Sequence, residues 1–332
     1  MIKLLSITFL AILFLSSCGT TKPRIVVKEK SLPLWYLQPP LSNAKELYGV
    51  GEGKDKKEAL SNALASLLAT LSVSISSNYS AKSIIKEGRI NSQEATYVNE
   101  TQSEVKKIRI SSYDVVKSEK LGFKKYAVLI KVDREKFFKS LKKEIDQEFA
   151  LIASWEHNRE YKNALQRLAF YNKALEKLDD LQNRLLVMSV LNESFNSQKY
   201  LQKYENLLNK RDTLLNKITF WIVSDYKPLI APIAKGLNTK KIKIKNFKNR
   251  NHFLVTIKSN IQAANSYGFF ISRAQIRFVT KENNGNILAT NVISITGQSS
   301  QSYEIAKQDI VKKLNRLVER EGIAKILNLS SL

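Results

Sequence analysis

A long stretch without glycine or proline constrains the fold of this chain most, because those two residues interrupt helices. Residues 123–227 contain neither of them. Apolar residues recur within this stretch every three or four positions, which is the spacing of a buried helix face. The pattern begins after Asp133 and consists of Phe137, Phe138, Leu141, Ile145, Phe149 and Ile152. This spacing predicts a long helix.

Two further apolar runs with the same spacing follow. Their members are Leu165, Leu168, Leu175 and Leu178 in the first run, and Tyr200, Tyr204, Leu207, Leu208, Leu214 and Leu215 in the second. We place the break between them at Asn192–Ser197, where the apolar spacing is interrupted. We therefore predict a helical hairpin or three-helix arm over residues 135–216, which holds two other domains apart.

Residues 32–134 precede this arm, and their sequence predicts a small domain that combines strands with a helix. Leu47–Gly53 is typical of a short strand that runs into a glycine turn. Asp55 and Glu58 then have the Asp-x-x-Glu spacing of a capping box, which starts a helix. The apolar residues of that helix have the helical spacing and are Ala59, Leu60, Ala63, Leu64, Leu67, Leu68 and Leu71.

After this helix we expect the chain to return to strands. Val73 and Ile75 alternate with serines, which predicts a strand with one exposed side. Lys86–Ser103 is polar and predicts a long loop or arm. Two more strands are expected, one with Val105, Ile108, Ile110 and Val115, and one at Tyr126–Val132 after a turn at Gly122.

Residues 217–332 predict a second domain that also mixes strands and helices. Thr219–Val223 is typical of a strand, and Pro228 and Pro232 suit the opening of a helix. Lys241–Lys245 alternates at the strand period.

Three more strands and a closing helix complete this second domain. The strands are expected at Phe253–Ile261, Phe269–Thr280 and Ile287–Thr296, with Asn284-Gly285 as a hairpin turn. The closing helix runs from Tyr303 to Gly322. The predicted order is β-α-β-β-β-β-α, and both domains together predict an α+β fold.

The first residues have the anatomy of an export signal that ends at the only cysteine of the chain. Lys3 precedes the apolar run Leu4–Leu15, which is too short to span a bilayer, since a span takes roughly 20 residues. The Leu-Ser-Ser-Cys sequence ending at Cys18 resembles the bacterial lipobox, in which the cysteine is lipidated and becomes the first mature residue. We therefore predict a signal peptide at 1–17 and a lipidated tether at 18–31, so that lipid holds the chain on a membrane. An ordinary signal peptide with a chance cysteine is the alternative.

Residues with catalytic or metal-binding chemistry are sparse. The only imidazoles are His157 and His252, so neither a His/Cys metal site nor a Cys–His dyad is expected. No Gly-x-Ser-x-Gly elbow or His-Glu-x-x-His helix occurs. The Gly-x-Gly-x-Gly pattern ending at Gly53 lacks the spacing of a nucleotide-binding motif, and Asp55 would repel a phosphate at the next helix. We expect no enzymatic activity, no cofactor and no metal.

The chain is strongly basic, with a formal net charge of +24 at pH 7. Removal of residues 1–17 takes away one lysine and no acidic residue, which leaves +23. An exported lipoprotein rarely meets nucleic acid, so we expect no nucleic-acid partner and consider anionic envelope polymers and lipid head groups instead. Lysines spread over solvated faces are the simpler explanation of this charge.

One basic segment is dense enough to consider as a binding patch. It contains Lys241, Lys243, Lys245, Lys248 and Arg250 with no acidic residue among them. The functional interpretation is a surface for an anionic partner. The structural interpretation, which we favour, is an edge strand whose lysines prevent pairing with another sheet.

Four segments of the first domain together resemble a known family. They are Pro33–Trp35, Tyr48–Gly51, Ala59–Leu68 and Tyr126–Val132. In the LPP-twenty bacterial lipoproteins they correspond to a Pro-x-Trp entry, a Tyr-x-x-Gly strand end, an Ala-rich helix and a Tyr-x-Val-x-Ile strand. The resemblance covers about residues 31–146 and implies an exported envelope lipoprotein with no known enzymatic activity. Members in spiral, polarly flagellated bacteria include outer-membrane-associated components of the flagellar basal disk.

Two hypotheses of different classes follow. The leading one is a structural lipoprotein on the periplasmic face of the outer membrane, which builds an envelope assembly such as the flagellar basal disk or a motor collar needed for motility. Its partners would be envelope or flagellar motor proteins, or further copies of itself. The alternative is a binding module for an anionic envelope glycan or lipid, whose affinity would fall steeply with salt.

Overall fold

The computed structural model describes residues 31–87, 108–246 and 251–329. Side chains are described in these ranges except at residues 75–87. Several sequence predictions concern positions outside these ranges, namely those for residues 1–30 with Cys18, for residues 88–103, for Val105, and for Lys248 and Arg250.

The first sheet consists of three antiparallel strands covered by a long helix. In chain order its elements are α1 (Leu34–Leu37), β1 (Glu46–Gly53), α2 (Lys56–Glu87), β2 (Asp114–Gly122) and β3 (Lys125–Asp133). β3 is the central strand and pairs with β1 on one side and β2 on the other. α2 packs on this sheet and buries Ala59, Ala63, Leu67 and Leu71.

The start of α2 follows the sequence prediction closely. The Asp55 carboxylate accepts a hydrogen bond from the Glu58 amide (2.9 Å). Glu58 in turn accepts one from the Lys54 amide (2.9 Å), one residue earlier than in the standard capping box. Two amides at this helix end, which have no partner within the helix, are therefore satisfied.

The end of α2 differs from the prediction. The strand expected at Val73 and Ile75 is wrong, because α2 continues through both residues. Residues 54–87 contain no glycine or proline, so no strong stop signal ends the helix earlier. Ile108 and Ile110 also lie outside a strand, because β2 begins after them, although Ile108 is buried in the core.

Four helices fill residues 134–217. They are α3 (Arg134–Asn158), α4 (Ala164–Lys177), α5 (Leu181–Leu191) and α6 (Gln198–Lys217). The Asp133 side chain caps α3 by accepting a hydrogen bond from the Lys136 amide (2.9 Å). Of the apolar residues predicted for α3, Phe138 is partly buried. The others are buried, namely Phe137, Leu141, Ile145, Phe149 and Ile152. The sequence did not predict α5 as a separate helix.

These helices pack against the first sheet and do not hold two domains apart. One continuous hydrophobic core includes Leu47 of β1, Ile145 of α3, Leu185 of α5 and Leu207 of α6. The prediction of a separating arm is therefore corrected. The apolar spacing showed which helix faces are buried but not which surface covers them.

α4 belongs to two cores at once. Its residues Phe170, Tyr171 and Ala174 join the core of the first sheet. Its residues Leu165 and Leu168, nearer the helix start, join the core of the second sheet. A single helix thus connects the two halves of the molecule through buried contacts.

The second sheet has five strands in the order β5-β4-β6-β7-β8, and the chain order of its elements is the predicted one. The elements are β4 (Thr219–Ser224), a 3-10 turn (Lys227–Leu229), α7 (Ile230–Thr239), β5 (Lys243–Ile244), β6 (His252–Ser266), β7 (Phe269–Glu282), β8 (Ile287–Ser299), α8 (Tyr303–Glu321) and α9 (Ile323–Ile326). β4 is parallel to both of its neighbours, whereas β6, β7 and β8 form an antiparallel meander. The α+β class is thereby confirmed in both sheets.

The lysine-rich strand is shorter than predicted. β5 contains only Lys243 and Ile244, because the chain leaves α7 through Lys241, whose φ of +60° is incompatible with a strand. β5 pairs with β4 and forms one edge of the second sheet. Its position is the edge position that the structural interpretation of the lysines requires.

Candidate functional site

A cleft of about 1180 Å³ lies where the helices meet the second sheet. One wall is the connection Arg159–Asn163 with the first turn of α4, and the end of α6 forms another part of the lining. The first residues of β4 and β6 and the edge strand β5 also line it, together with the turn between β7 and β8. We call this hollow the basic cleft.

Local hydrogen bonds fix the connection that forms the first wall. The Asn163 side chain caps α4 by accepting a hydrogen bond from the Gln166 amide (3.0 Å). The same side chain donates to the Glu282 carboxylate (2.6 Å), which ties the helix start to the turn between β7 and β8. The Lys162 amide donates to the Gln166 side chain (3.1 Å). Specific contacts therefore hold the end of this wall where α4 begins.

The lining of the basic cleft carries a large excess of positive charge. Its basic residues are Arg159, Lys162, Arg167, Lys217, Lys243 and Lys245, and its acidic residue is Glu282. A concave surface lined by one sign of charge focuses the electric field and concentrates counter-ions. The arrangement suits the binding of anionic groups.

Four of these cations are not neutralised within the part of the chain that the structure describes. Arg159, Lys162, Lys217 and Lys243 are exposed and form no ion pair with a described residue. Lysines elsewhere behave differently: Lys139 and Lys142 of α3 each reach a carboxylate one turn away at 2.7 Å. The cleft thus gathers cations whose charge is available to a ligand.

Two contacts shape the interior of the basic cleft. The Thr219 hydroxyl and His252 Nδ1 lie 2.9 Å apart and join the neighbouring strands β4 and β6 at their buried start. The guanidinium of Arg167 lies 5.9 Å from the centre of the Tyr161 ring, within cation–π range. The stack orients Arg167 while leaving its N–H donors able to bind an anion.

The structure brings together only part of the predicted basic patch. Lys243 and Lys245 line the basic cleft, whereas Lys241 lies in the turn before β5 and does not. Lys248 and Arg250 lie outside the described residues. The sequence did not indicate Arg159, Lys162, Arg167 and Lys217, because they lie near helix ends far from β5 along the chain. They could have been grouped with the lysines of β5 only if the contact between the helices and the second sheet had been known.

A second, smaller hollow of about 460 Å³ adjoins the basic cleft and shares Arg167, Leu214 and Lys217 with it. We call it the helix hollow. Glu156 of α3 lies on its wall and accepts hydrogen bonds from Tyr171 of α4 (2.8 Å) and from Lys210 of α6 (2.8 and 3.0 Å). One carboxylate thus joins three helices.

These contacts predict a pH-dependent contribution of Glu156 to stability. Burial raises the pKa of Glu156, but the hydrogen bonds from Lys210 and Tyr171 outweigh it, and the net pKa is lowered. Because folding lowers this pKa, the ionised Glu156 stabilises the folded protein at pH values above its unfolded-state pKa of about 4.3. This stabilisation is lost as the pH falls through the folded-state pKa. We expect Glu156→Gln to lower the free energy of unfolding by about 1–2 kcal/mol near neutral pH. Urea unfolding should show this difference shrink below about pH 4; a difference independent of pH would contradict the assignment.

Two classes of feature are absent from the described ranges. These ranges contain no group of three or more His, Cys, Asp or Glu residues that could hold a metal ion. None of the helices searched there is long and apolar enough to cross a membrane.

Comparison with known families finds a match for the region of the first sheet. Residues 33–133 match the family described as LPP20 lipoprotein, which confirms the resemblance inferred from the motifs of this region. The match covers the first sheet and α2 but none of the residues that line the basic cleft. No curated protein matches this chain at a significant level.

Three solved structures are similar to this chain at low sequence identity. The secreted protein HP1454 from Helicobacter pylori is 12% identical, with a TM-score of 0.46, and the alignment covers 86% of this chain and 98% of that one. A minor lipoprotein from Acinetobacter baumannii is 11% identical, with a TM-score of 0.28 and coverage of 34% and 96%. Lipoprotein GNA1162 from Neisseria meningitidis is 12% identical, with a TM-score of 0.22 and coverage of 31% and 99%.

Proposed function

We propose that this protein is a lipid-anchored envelope lipoprotein that binds the anionic groups of an envelope glycan or lipid in its basic cleft. The observation that carries this proposal is the charge of the cleft, whose lining contains six basic residues and one acidic residue. The family match of residues 33–133 supports the lipoprotein part. The cleft supports the binding part, which the sequence alone ranked second. No catalytic role is proposed for it.

The origin of the cations in separate parts of the chain supports binding over simple solubility. On a surface whose charges only provide solubility, basic and acidic residues are interspersed. Here the connection before α4, the end of α6 and the edge strand β5 each contribute at least one cation to a single concavity. Like charges that converge repel one another, and an anionic ligand relieves that repulsion.

A salt-dependent binding experiment tests this proposal. The full protein in a neutral detergent is titrated with tripolyphosphate and with polygalacturonate, and neutral dextran serves as the control. We expect both anions to bind, with affinity falling about tenfold or more when salt rises from about 0.05 to about 0.5 M, because screening shortens the reach of each charge. Absence of binding, or equal binding of dextran, would contradict the proposal.

Substitution of Cys18 tests the lipid anchor independently of the basic cleft. We propose that this cysteine is lipidated and places the protein on the periplasmic face of the outer membrane. Cys18→Ser should abolish incorporation of labelled palmitate, because the acylated thiol is lost, and should weaken the retention that buried acyl chains provide. Palmitate incorporation that persists in the variant would contradict lipidation at this residue.

An assembly role is a second candidate, supported by the edge of the first sheet. Within the described residues, β2 pairs only with β3. Val115 and Val116 on this edge are exposed, and Phe123 in the following turn is 89% exposed. Exposed apolar residues beside an open strand edge are a suitable surface for another chain. The flagellar basal disk or a motor collar is the most concrete version of such an assembly.

Salt distinguishes the two candidates. Proteins that stay bound to the lipoprotein at stoichiometric level through a high-salt wash would support apolar assembly contacts. Loss of these proteins in the high-salt wash, together with phosphate-rich material that is retained only at low salt, would favour anion binding in the basic cleft. A deletion strain with normal motility and normal motor architecture would exclude the flagellar version.

A further inference from the structure

Two hollows adjoin the basic cleft from different sides. The helix hollow shares Arg167, Leu214 and Lys217 with the cleft. A third hollow of about 380 Å³, which we call the C-terminal hollow, shares Arg159, Tyr161 and Asn163 with the cleft. The helix hollow and the C-terminal hollow have no lining residue in common. The basic cleft therefore shares a wall with each of the other two hollows, and we call the three hollows together the groove.

Positive charge continues along this groove. Lys173 of α4 lines the C-terminal hollow, where it is exposed and has no ion pair with a described residue. Lys217 lies where the basic cleft meets the helix hollow. Each hollow also contains an acidic residue: Glu156 of the helix hollow is bonded to Lys210 and Glu282 of the cleft to Asn163, whereas Glu160 of the C-terminal hollow is exposed. Cations available to a ligand thus extend beyond the cleft itself.

We infer that the groove binds an extended polyanionic chain with repeated phosphate or carboxylate groups, and that the chain runs from the helix hollow through the basic cleft into the C-terminal hollow. This inference rests on the proposed function and adds the shape of the ligand to it. The basic cleft alone, at about 1180 Å³, exceeds the upper volume of about 1,000 Å³ typical for a compact small-molecule ligand. A single phosphate would fill little of it and contact few of the cations.

Several charges on one chain also bind more tightly than the same charges free in solution. Once one group is held, the next is present at a high effective concentration. The connection Arg159–Asn163 lies between the basic cleft and the C-terminal hollow and contributes residues to both. A chain that passes this connection gains contacts on both sides of it.

The test compares polyphosphates of two lengths and one pair of variants. The full protein in neutral detergent is titrated with tripolyphosphate and with a chain of about 15 phosphates. We expect the longer chain to bind about tenfold or more tightly per molecule, because it reaches all three hollows. Lys173→Gln should weaken binding of the long chain about threefold or more and leave tripolyphosphate unchanged. Lys177→Gln, one turn further along α4 and outside the groove, is the matched control and should change neither.

The outcomes separate this inference from the proposed function. Length-dependent affinity that is reduced by Lys173→Gln but not by Lys177→Gln supports the extended groove. Equal affinity for both lengths, with no effect of Lys173→Gln, overturns the extended groove and leaves anion binding in the cleft intact. Absence of binding for both lengths overturns the inference and the proposed function together.

Discussion

Gly51→Val is expected to unfold the first half of the protein or to lower its free energy of unfolding by about 3 kcal/mol or more. Gly51 lies in the middle of β1, and a Cβ atom there would clash with the backbone of α2 at Ala59 and Ala63. Backbone atoms cannot move aside as the end of a flexible side chain can. The helix would have to leave the sheet, which would expose Leu67 and its core neighbours.

Glu52→Val is the matched control for this prediction. It introduces the same side chain at the next residue of β1, which is exposed. The control loses an exposed ion pair between Glu52 and Lys125, which contributes less than about 1 kcal/mol, and an exposed hydrogen bond from the Tyr36 hydroxyl, which contributes about 1 kcal/mol. Urea unfolding followed by circular dichroism measures both variants. Equal stability of Gly51→Val and Glu52→Val would contradict the close packing of β1 on α2.

Reversal of three cleft charges is expected to weaken binding of polyanions about 100-fold or more. The variant combines Arg159→Glu, Lys162→Glu and Lys243→Glu, and each change removes an attraction and adds a repulsion. A total loss of about 2.8 kcal/mol over the three sites corresponds to a factor of 100 in affinity. All three residues are exposed, so the fold should tolerate the changes.

A variant with the same net charge controls for long-range electrostatics. It combines Lys136→Glu, Lys258→Glu and Lys312→Glu, three exposed positions that do not line the groove. We expect this control to weaken binding of polyphosphate less than about threefold, because distant charges are screened. Equal losses in both variants would show that net charge, and not the basic cleft, attracts the anion. Isothermal titration measures both constants under one salt condition.

Local signals in the sequence predicted most elements of both sheets. The Asp55 and Glu58 spacing placed the start of α2, and the apolar stripe from Phe137 to Ile152 placed α3. The Asn284-Gly285 pair marked a real hairpin turn, in which Gly285 has a φ of +90°. Each of these features depends on residues a few positions apart, so a sequence pattern can show it.

Features that depend on distant contacts were missed. The alternation of Val73 and Ile75 with serines indicated a strand, but the absence of any stop signal allowed α2 to continue. The glycines of β1 were interpreted as a turn, although they make room for α2 beside the strand. Their spacing of two residues, with Ala59 and Ala63 four apart on the helix, is the signal that could have shown it.

The basic cleft could be predicted only in part for the same reason. The lysines of the edge strand were visible as a cluster because they are neighbours in sequence. Arg159 and Lys217 join them only because α4 buries Leu165 and Leu168 in the core of the second sheet, which brings the helix ends to β5. A separating arm, as the sequence suggested, would have kept these cations apart.

The most direct test of the central claim is a crystal structure of the protein with tripolyphosphate, phased independently of the ligand. We predict phosphate density in the basic cleft, with oxygen atoms within hydrogen-bond distance of Arg159, Lys162 and Lys243. Density confined to other surfaces, with the cleft holding only solvent at saturating tripolyphosphate, would contradict the account.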